Sequence, residues 1–137
     1  MRITREVDYA LRIVGNLARS DEDVVPASLI SEEEQVPLRF TLRILRKLNL
    51  AGITEAKRGA AGGYRLCKDP KDINLYQVVT AIDGPIVINR CLDGQDPYCT
   101  KNECVDAMGH CKFHVKLGEL QSSIIKNLKD STLNEFI

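Results

Sequence analysis

Apolar side chains recur at three- and four-residue intervals along the first part of the chain, which is the spacing of one face of an α-helix. Residues 4–19 carry one such stripe, with Thr4 as a candidate N-cap. Pro26 and Pro37 each fit the first turn of a further helix, the former a short one. The stripe predicted to face inward in the third helix consists of Leu38, Leu42, Leu45 and Leu48.

A strand, a glycine-rich turn and a second strand are predicted after the third helix. The strands correspond to residues 52–57 and 64–67, and the turn reads Arg58-Gly59-Ala60-Ala61-Gly62-Gly63. A fourth helix begins near Asn74 and ends at Gly84-Pro85. Three helices followed by a hairpin are the element order of a winged helix-turn-helix, so the predicted fold is mainly α with a small β-hairpin wing.

A long helix is predicted near the C-terminus, and its apolar stripe lacks an obvious partner within so small a domain. The stripe is formed by Val115, Leu117, Leu120, Ile124, Ile125 and Leu128. It packs either on the chain's own helices or, as we expect, on a second copy of the chain in a homodimer. Three units are predicted: a winged-helix domain at 1–84, a cysteine-rich loop at 85–110, and a dimerisation helix with its tail at 111–137.

Charge is distributed unevenly, although the 137-residue chain has equal numbers of basic and acidic residues, 19 of each. The segment 37–65 holds seven basic residues and one acidic residue, and the basic ones fall on the third helix and the hairpin tip. Any one of them alone fits an ordinary solvated surface. Their shared sign on these two elements favours a polyanion, double-stranded DNA. The candidate DNA contacts are Arg39, Thr41, Arg43, Lys47, Arg58 and Gly59.

Other function classes fit the sequence less well. No apolar run approaches the roughly 20 residues that span a bilayer, and the N-terminus lacks the apolar core of a signal peptide. We therefore expect a cytoplasmic protein without a membrane partner. The chain has no recognisable nucleophile, base or phosphate-loop motif, which argues against an enzyme.

Four cysteines and a histidine follow one another closely after residue 90. The spacing is Cys91-x7-Cys99-x4-Cys104-x6-Cys111-x2-His114. Thiolates favour iron–sulfur clusters and zinc, and imidazole suits either, so ligand type alone leaves both open. The segment lacks the paired Cys-x2-Cys knuckles of many structural zinc sites. The fifth cysteine, Cys67, fits a buried small hydrophobic residue better and is left out of this set.

Several segments together resemble the IscR, NsrR and CymR family of bacterial regulators. They are Asp8-Tyr9-Ala10-Leu11-Arg12, the helix around residues 42–48, Arg58 to Leu66, Val78 to Gly84, the cysteine loop, and Ser131-Thr132-Leu133. The resemblance implies a dimeric regulator, most often a repressor, which reads a roughly palindromic operator with its winged helices. The third helix departs from IscR, which carries a glutamate where this chain has Leu42.

The same resemblance implies an iron–sulfur cluster of the 2Fe-2S or 4Fe-4S type. It aligns Cys91, Cys99 and Cys111 with the three cysteine ligands of the family and His114 with the histidine ligand of IscR. Cys104 has no counterpart and is an alternative fourth ligand, as is Asp8. The resulting hypothesis is a regulator whose operator binding follows iron–sulfur, redox or nitric oxide status. The alternative is a zinc-stabilised or cluster-free regulator controlled by thiol oxidation or a protein partner.

Overall fold

The computed structural model describes residues 2–93 and 111–137, which fold mainly into α-helices with one two-stranded antiparallel sheet. In chain order the helices and strands are α1 (Arg5–Arg19), α2 (Ala27–Glu34), α3 (Leu38–Leu50), β1 (Thr54–Lys57), β2 (Gly63–Leu66), α4 (Leu75–Asp83) and α5 (Lys112–Asp130). Short 3-10 turns lie at Pro70–Asp72, Arg90–Leu92 and Leu133–Phe136. This is the predicted element order, with the hairpin and the long C-terminal helix both present.

The helix boundaries have local causes that the sequence had indicated. The Thr4 hydroxyl accepts a hydrogen bond from the Val7 amide at 3.2 Å, which satisfies one free donor of the first turn of α1. At the start of α4, Asn74 and Gln77 form a reciprocal capping box with two bonds of 2.8 Å. That helix ends at Gly84, whose φ of +76° few other residues adopt.

The hydrophobic core lies between α1, α3 and α4. Ile13, Val14, Ile44, Leu45 and Val78 are completely buried in it. The inward face of α3 is formed by Thr41, Ile44, Leu45 and Leu48. The prediction that Leu38 and Leu42 face inward is wrong, because these two residues are 46% and 45% exposed.

The hairpin is joined to the helical core by the linker between α1 and α2. Its strands pair from Thr54 opposite Leu66 to Lys57 opposite Gly63. On the other edge, the Val25 amide donates to the Tyr64 carbonyl at 2.9 Å, and the Tyr64 amide donates to the Val25 carbonyl at 2.8 Å. These two bonds fix the orientation of the hairpin relative to the helices.

The C-terminal tail returns to the winged-helix core. The Leu75 amide donates to the Ser131 carbonyl and the Leu133 amide to the Ile73 carbonyl, each at 2.9 Å. Leu133 is only 3% exposed and belongs to the same core as α1. The residues 131–137 thus pack with the first unit even though they follow the long helix.

Helix α5 differs from the other four helices, because none of its 19 residues is fully buried. Phe113, Val115 and Leu120 are among the exposed large apolar residues of the chain. An apolar helix face that the chain leaves in solvent is typical of a surface used for association. No helix among the described residues is long and apolar enough to cross a membrane.

Candidate nucleic-acid interface and cysteine segment

Three arginines lie on the solvent side of α3. A helix turns by about 100° per residue, so Arg39, Arg43 and Arg46 share the face opposite the buried Leu48, and all three are exposed. We call these three residues the basic arc. The guanidinium carbons of Arg39 and Arg43 lie 5.4 and 5.5 Å from the centroid of the Phe40 ring, which holds both side chains by cation–π contact.

Glu6 of α1 holds two of the basic residues of α3. Its Oε1 lies 2.8 Å from Lys47 Nζ and 3.4 Å from Arg43 Nη2, and Lys47 also donates to the Ile82 carbonyl at the end of α4 at 3.4 Å. Desolvation tends to raise the pKa of Glu6, but the hydrogen bond and charge of Lys47, assisted by Arg43, outweigh it and lower that pKa. Lys47 therefore joins α3 to α1 and α4, and its ammonium group is already engaged by Glu6 and the Ile82 carbonyl.

Thr41 does not lie on the basic face, which corrects its inclusion among the candidate DNA contacts. The residue is completely buried. Its hydroxyl donates to the carbonyls of Pro37 and Val36, at 3.2 and 3.4 Å, within the turn that begins α3. A side chain in this position cannot reach a DNA groove, and it serves the start of the helix instead.

The hairpin tip presents one exposed arginine. Arg58 precedes Gly59, whose φ of +115° suits glycine, and the Gly62 amide closes the turn on the Gly59 carbonyl at 3.0 Å. A Cβ atom on Gly62 would lie 2.3 Å from the Lys57 carbonyl oxygen, so this position also requires glycine. The glycines thus shape a tight tip at which Arg58 faces solvent.

The strands of the hairpin carry their own ion pairs. Arg65 contacts Glu55 at 2.7 Å and Asp23 at 3.0 Å, while Lys57 contacts Asp23 at 3.4 Å. Hydrogen bonds donated by Arg65 and Lys57 lower the pKa of Asp23, and the hydrogen bonds that Arg65 donates to Glu55 and Asp23 raise the pKa of Arg65. Both basic side chains are therefore occupied in holding the wing to the α1–α2 linker.

Three arginines of segment 37–65 have no acidic partner among the described residues. They are Arg39, Arg46 and Arg58. Arg46 was not among the candidate contacts predicted from sequence. The signal was its position seven residues after Arg39, which places both on one face of a helix. An unpaired arginine can turn its full donor set toward phosphate or a base edge.

Two predicted ligands flank the part of the chain that lies outside the described residues. Cys91 is half-buried in the turn Arg90–Leu92, and the Asn89 side-chain amide donates to its sulfur at 3.0 Å. Cys111 is half-buried directly before α5, and the exposed His114 follows one turn later. Leu92 contacts α5: its Cδ2 atom lies 3.6 Å from the point that a Cβ atom would occupy if Gly118 were an alanine.

The remaining candidate ligands are placed less favourably or lie outside the described residues. Cys99 and Cys104 fall within 94–110, which the structure does not describe. The Asp8 carboxylate pairs with Arg12 at 3.0 Å on the surface of α1. Within 2–93 and 111–137, no three His, Cys, Asp or Glu side chains converge on a point that could hold a metal ion.

The donors that are described nevertheless fit a thiophilic metal group in their chemistry. Cys91 and Cys111 are both free thiols, the packing of Leu92 on α5 joins their elements, and His114 adds an imidazole near Cys111. Cys67 is exposed just after β2, so the expectation that it is buried is wrong. Partial desolvation and the charge of Glu55 raise the pKa of its thiol.

The fold and the basic surface define a winged-helix protein of the DNA-binding class, and comparison with known proteins gives its family. The chain belongs to the Rrf2 family, described as iron-dependent transcriptional regulators, whose sequence profile matches residues 3–137. An rrf2-like HTH-type regulator of Rhodobacter capsulatus is 32% identical over 98% of this chain and 91% of its own length. IscR of Vibrio cholerae is 30% identical over 100% of this chain and 75% of its own.

Solved structures share the fold. CymR of B. subtilis, the global cysteine regulator, has a TM-score of 0.74 at 22% identity and covers 98% of this chain and 94% of its own. T. potens IscR has a TM-score of 0.72 at 19% identity, with coverages of 98% and 84%. The family resemblance and the winged-helix fold expected from the sequence are both confirmed. The protein is a transcriptional regulator that binds DNA, and it is not an enzyme.

Proposed function

We propose that this protein is a homodimeric repressor that binds a palindromic operator and is controlled by an iron–sulfur cluster. One observation carries the DNA part of the proposal: Arg39, Arg46 and Arg58 are exposed and have no acidic partner among the described residues. They lie on the third helix and the wing tip, the two elements that enter DNA grooves in winged helices. The basic residues that neighbour them are neutralised within the protein.

The basic side chains divide by task. In the proposed complex α3 enters the major groove, where Arg39 and Arg46 bond to guanine or phosphate. Arg43 and Lys47 are shared with Glu6, so they hold the helix in position and contact DNA only in part. Arg58 enters the minor groove, and the Gly59 backbone at the wing tip approaches the phosphates closely.

The dimer is proposed from the exposed apolar side of α5. Its 19 residues include none that is fully buried, although the helix carries Phe113, Val115, Leu120 and four further apolar residues of the predicted stripe. A second copy of the same helix covers such a face by twofold symmetry. In this arrangement residues 1–84 read DNA, the segment 85–110 carries Cys91 and Cys99 of the ligand set, and the unit 111–137 supplies Cys111 and joins the two copies through α5.

The proposed cluster is held by Cys91, Cys99 and Cys111, with the fourth ligand drawn from His114, Cys104 or Asp8. Support comes from the iron-dependent family description, from relatives named IscR, and from two free thiols whose elements are joined by the contact of Leu92 with α5. A cluster in this place would fix the loop relative to α5 and so bias the separation of the two wings. Zinc bound by the same donors, or regulation by thiol oxidation or a partner protein, is the second candidate.

Removal of one unpaired arginine tests the DNA part. We expect Arg58→Ala to weaken operator binding by about 1–3 kcal/mol without changing the fold, measured by fluorescence anisotropy across a salt series. Arg12→Ala is the matched control, since Arg12 is an exposed arginine of α1 already paired with Asp8. Equal affinities for Arg58→Ala and the unmodified protein would contradict the proposed wing contact.

Anaerobic purification tests the cluster. Iron, sulfide and zinc are measured together with visible absorption. We expect iron and sulfide with a visible chromophore that Cys111→Ser abolishes and Cys67→Ser leaves unchanged, because a serine hydroxyl replaces a soft thiolate poorly. Comparison of His114→Ala with Cys104→Ser then identifies the fourth ligand. Stoichiometric zinc without iron or sulfide would contradict the sensor and leave the DNA-binding regulator.

A further inference from the structure

Two leucines on α3 are exposed although the helix already has a complete buried face. Thr41, Ile44, Leu45 and Leu48 supply that face. Leu38 and Leu42 are 46% and 45% exposed, and their spacing of four residues puts them side by side on the surface. We call this pair the apolar edge. Neither leucine is required by the core, so both side chains are available to a partner outside it.

The apolar edge adjoins the basic arc. With about 100° per residue, the order around the helix is Leu38, Leu42, Arg46, Arg39 and Arg43, so Leu42 stands next to the arginines that lack an acidic partner. The thirteen residues of α3 include no aspartate or glutamate. A surface that places apolar carbon beside cations, with no carboxylate, is repelled by cationic ligands and complements a polyanion that also exposes methyl groups.

We propose that Leu42 is a specificity-determining residue that contacts the C5-methyl group of a thymine in the operator half-site. This inference rests on the proposed function, because it assumes that α3 lies in the major groove. There the thymine methyl is the one apolar group that base pairs present, and arginine prefers the neighbouring O6 and N7 of guanine. The half-site accordingly contains a thymine next to a guanine contacted by Arg39 or Arg46. Leu38 widens the same apolar contact toward the start of the helix.

The test removes a single methyl group from the DNA. An operator is first selected in vitro with the full-length protein, and each thymine of one half-site is then replaced in turn by deoxyuridine. We expect one replacement to weaken binding of the unmodified protein about four-fold, the value for withdrawing one methyl group from an apolar contact. Leu42→Ala should bind the original operator more weakly and should no longer distinguish thymine from uracil at that position.

Leu29→Ala is the matched control, since Leu29 is 41% exposed but lies on α2. It should retain the full discrimination. Additive losses from Leu42→Ala and the uracil replacement, or equal affinity for every uracil-containing operator, would overturn the inference. If Arg58→Ala still weakens binding in that case, the proposed function stands and the leucine contact alone is wrong. If the selection yields no operator, both are wrong.

Discussion

Glu6 is the residue that links the candidate recognition helix to the rest of the domain. Its carboxylate lies within 2.8 Å of Lys47 and 3.4 Å of Arg43, and it is largely shielded from solvent. Because its folded-state pKa lies below the ordinary value of 4.5, ionised Glu6 stabilises the folded state. That contribution is fully present above the unfolded pKa and is lost as the pH falls through the lower folded pKa.

We therefore expect Glu6→Gln to reduce the free energy of unfolding by about 1 kcal/mol at neutral pH, since an ion pair near the surface contributes up to about that much. At an acid pH below the folded-state pKa of Glu6 the unmodified protein loses the same interaction, and the difference should shrink. Urea unfolding at both pH values measures this. Asp8→Asn, which removes an exposed pair with Arg12, should change stability little at either pH. An equal deficit at both pH values would contradict the ionic role.

The residues of α3 also show where sequence reasoning stops. Its apolar positions form two overlapping series at helical spacing, one containing Leu38 and Leu42 and the other containing Thr41 and Ile44. Periodicity allows either, and a threonine argues for the surface. Tertiary packing selects the series that contains Thr41 and Ile44. Thr41 can be buried because its hydroxyl donates to the carbonyls of Val36 and Pro37. The outward direction of Arg39, Arg43 and Arg46 was predictable, but their division into paired and unpaired side chains depends on the distant Glu6.

At the scale of elements, the wing is positioned by a close backbone approach. A Cβ on Gly63 would lie 2.6 Å from both the carbonyl carbon and the carbonyl oxygen of Val25, and backbone atoms cannot move aside as a flexible side chain can. The glycine-rich turn was evident from the sequence. The contact with the α1–α2 linker was not, because it joins residues about forty positions apart, and its two backbone hydrogen bonds leave no side-chain pattern in the sequence.

Gly63→Ala should therefore separate the wing from the linker and destabilise the protein by about 1–3 kcal/mol, the range for overpacking. Thermal unfolding measures the loss. Gly118→Ala in α5 is the control: its Cβ would meet only Leu92 at 3.6 Å, an ordinary contact, and alanine favours a helix over glycine by about 0.5–1 kcal/mol. That variant should be unchanged or more stable. Equal stability of the two variants would mean that the wing is not held as described.

The C-terminal tail is the second element that depends on long-range packing. Its return to the core through Leu133 was not predicted, because a single leucine after a long helix carries no periodic signal. With 3% exposure, Leu133→Ala should cost about 2–5 kcal/mol in urea unfolding, as for other buried leucines. Leu50→Ala, at 81% exposure, should stay within about 0.5 kcal/mol of the unmodified protein. A small effect at Leu133 would show that the tail is not part of the core.

At the scale of the whole molecule, the winged-helix core and α5 differ in how far the chain buries their apolar residues. The core buries its apolar residues within the chain, whereas α5 buries none of its stripe fully and leaves Val115 and Leu120 exposed. The sequence predicted the stripe, and its packing on a second copy of the chain stays a prediction. The sequence could not place the cluster ligands relative to that helix, because Cys91 and Cys111 are separated by a segment without periodicity.

The proposed dimer gives the last prediction. Leu120 is 45% exposed in the single chain, and in the dimer its side chain would be enclosed by the second α5. Leu120→Glu puts a carboxylate into that apolar contact, where its desolvation is costly, so the dimer should dissociate at concentrations at which the unmodified protein stays dimeric. Glutamate is a good helix former, so the helical content should not change. Sedimentation equilibrium measures the mass and circular dichroism the helicity. Leu50→Glu, the same change at an exposed leucine of α3, should remain dimeric, and a dimeric Leu120→Glu would place the interface on another surface.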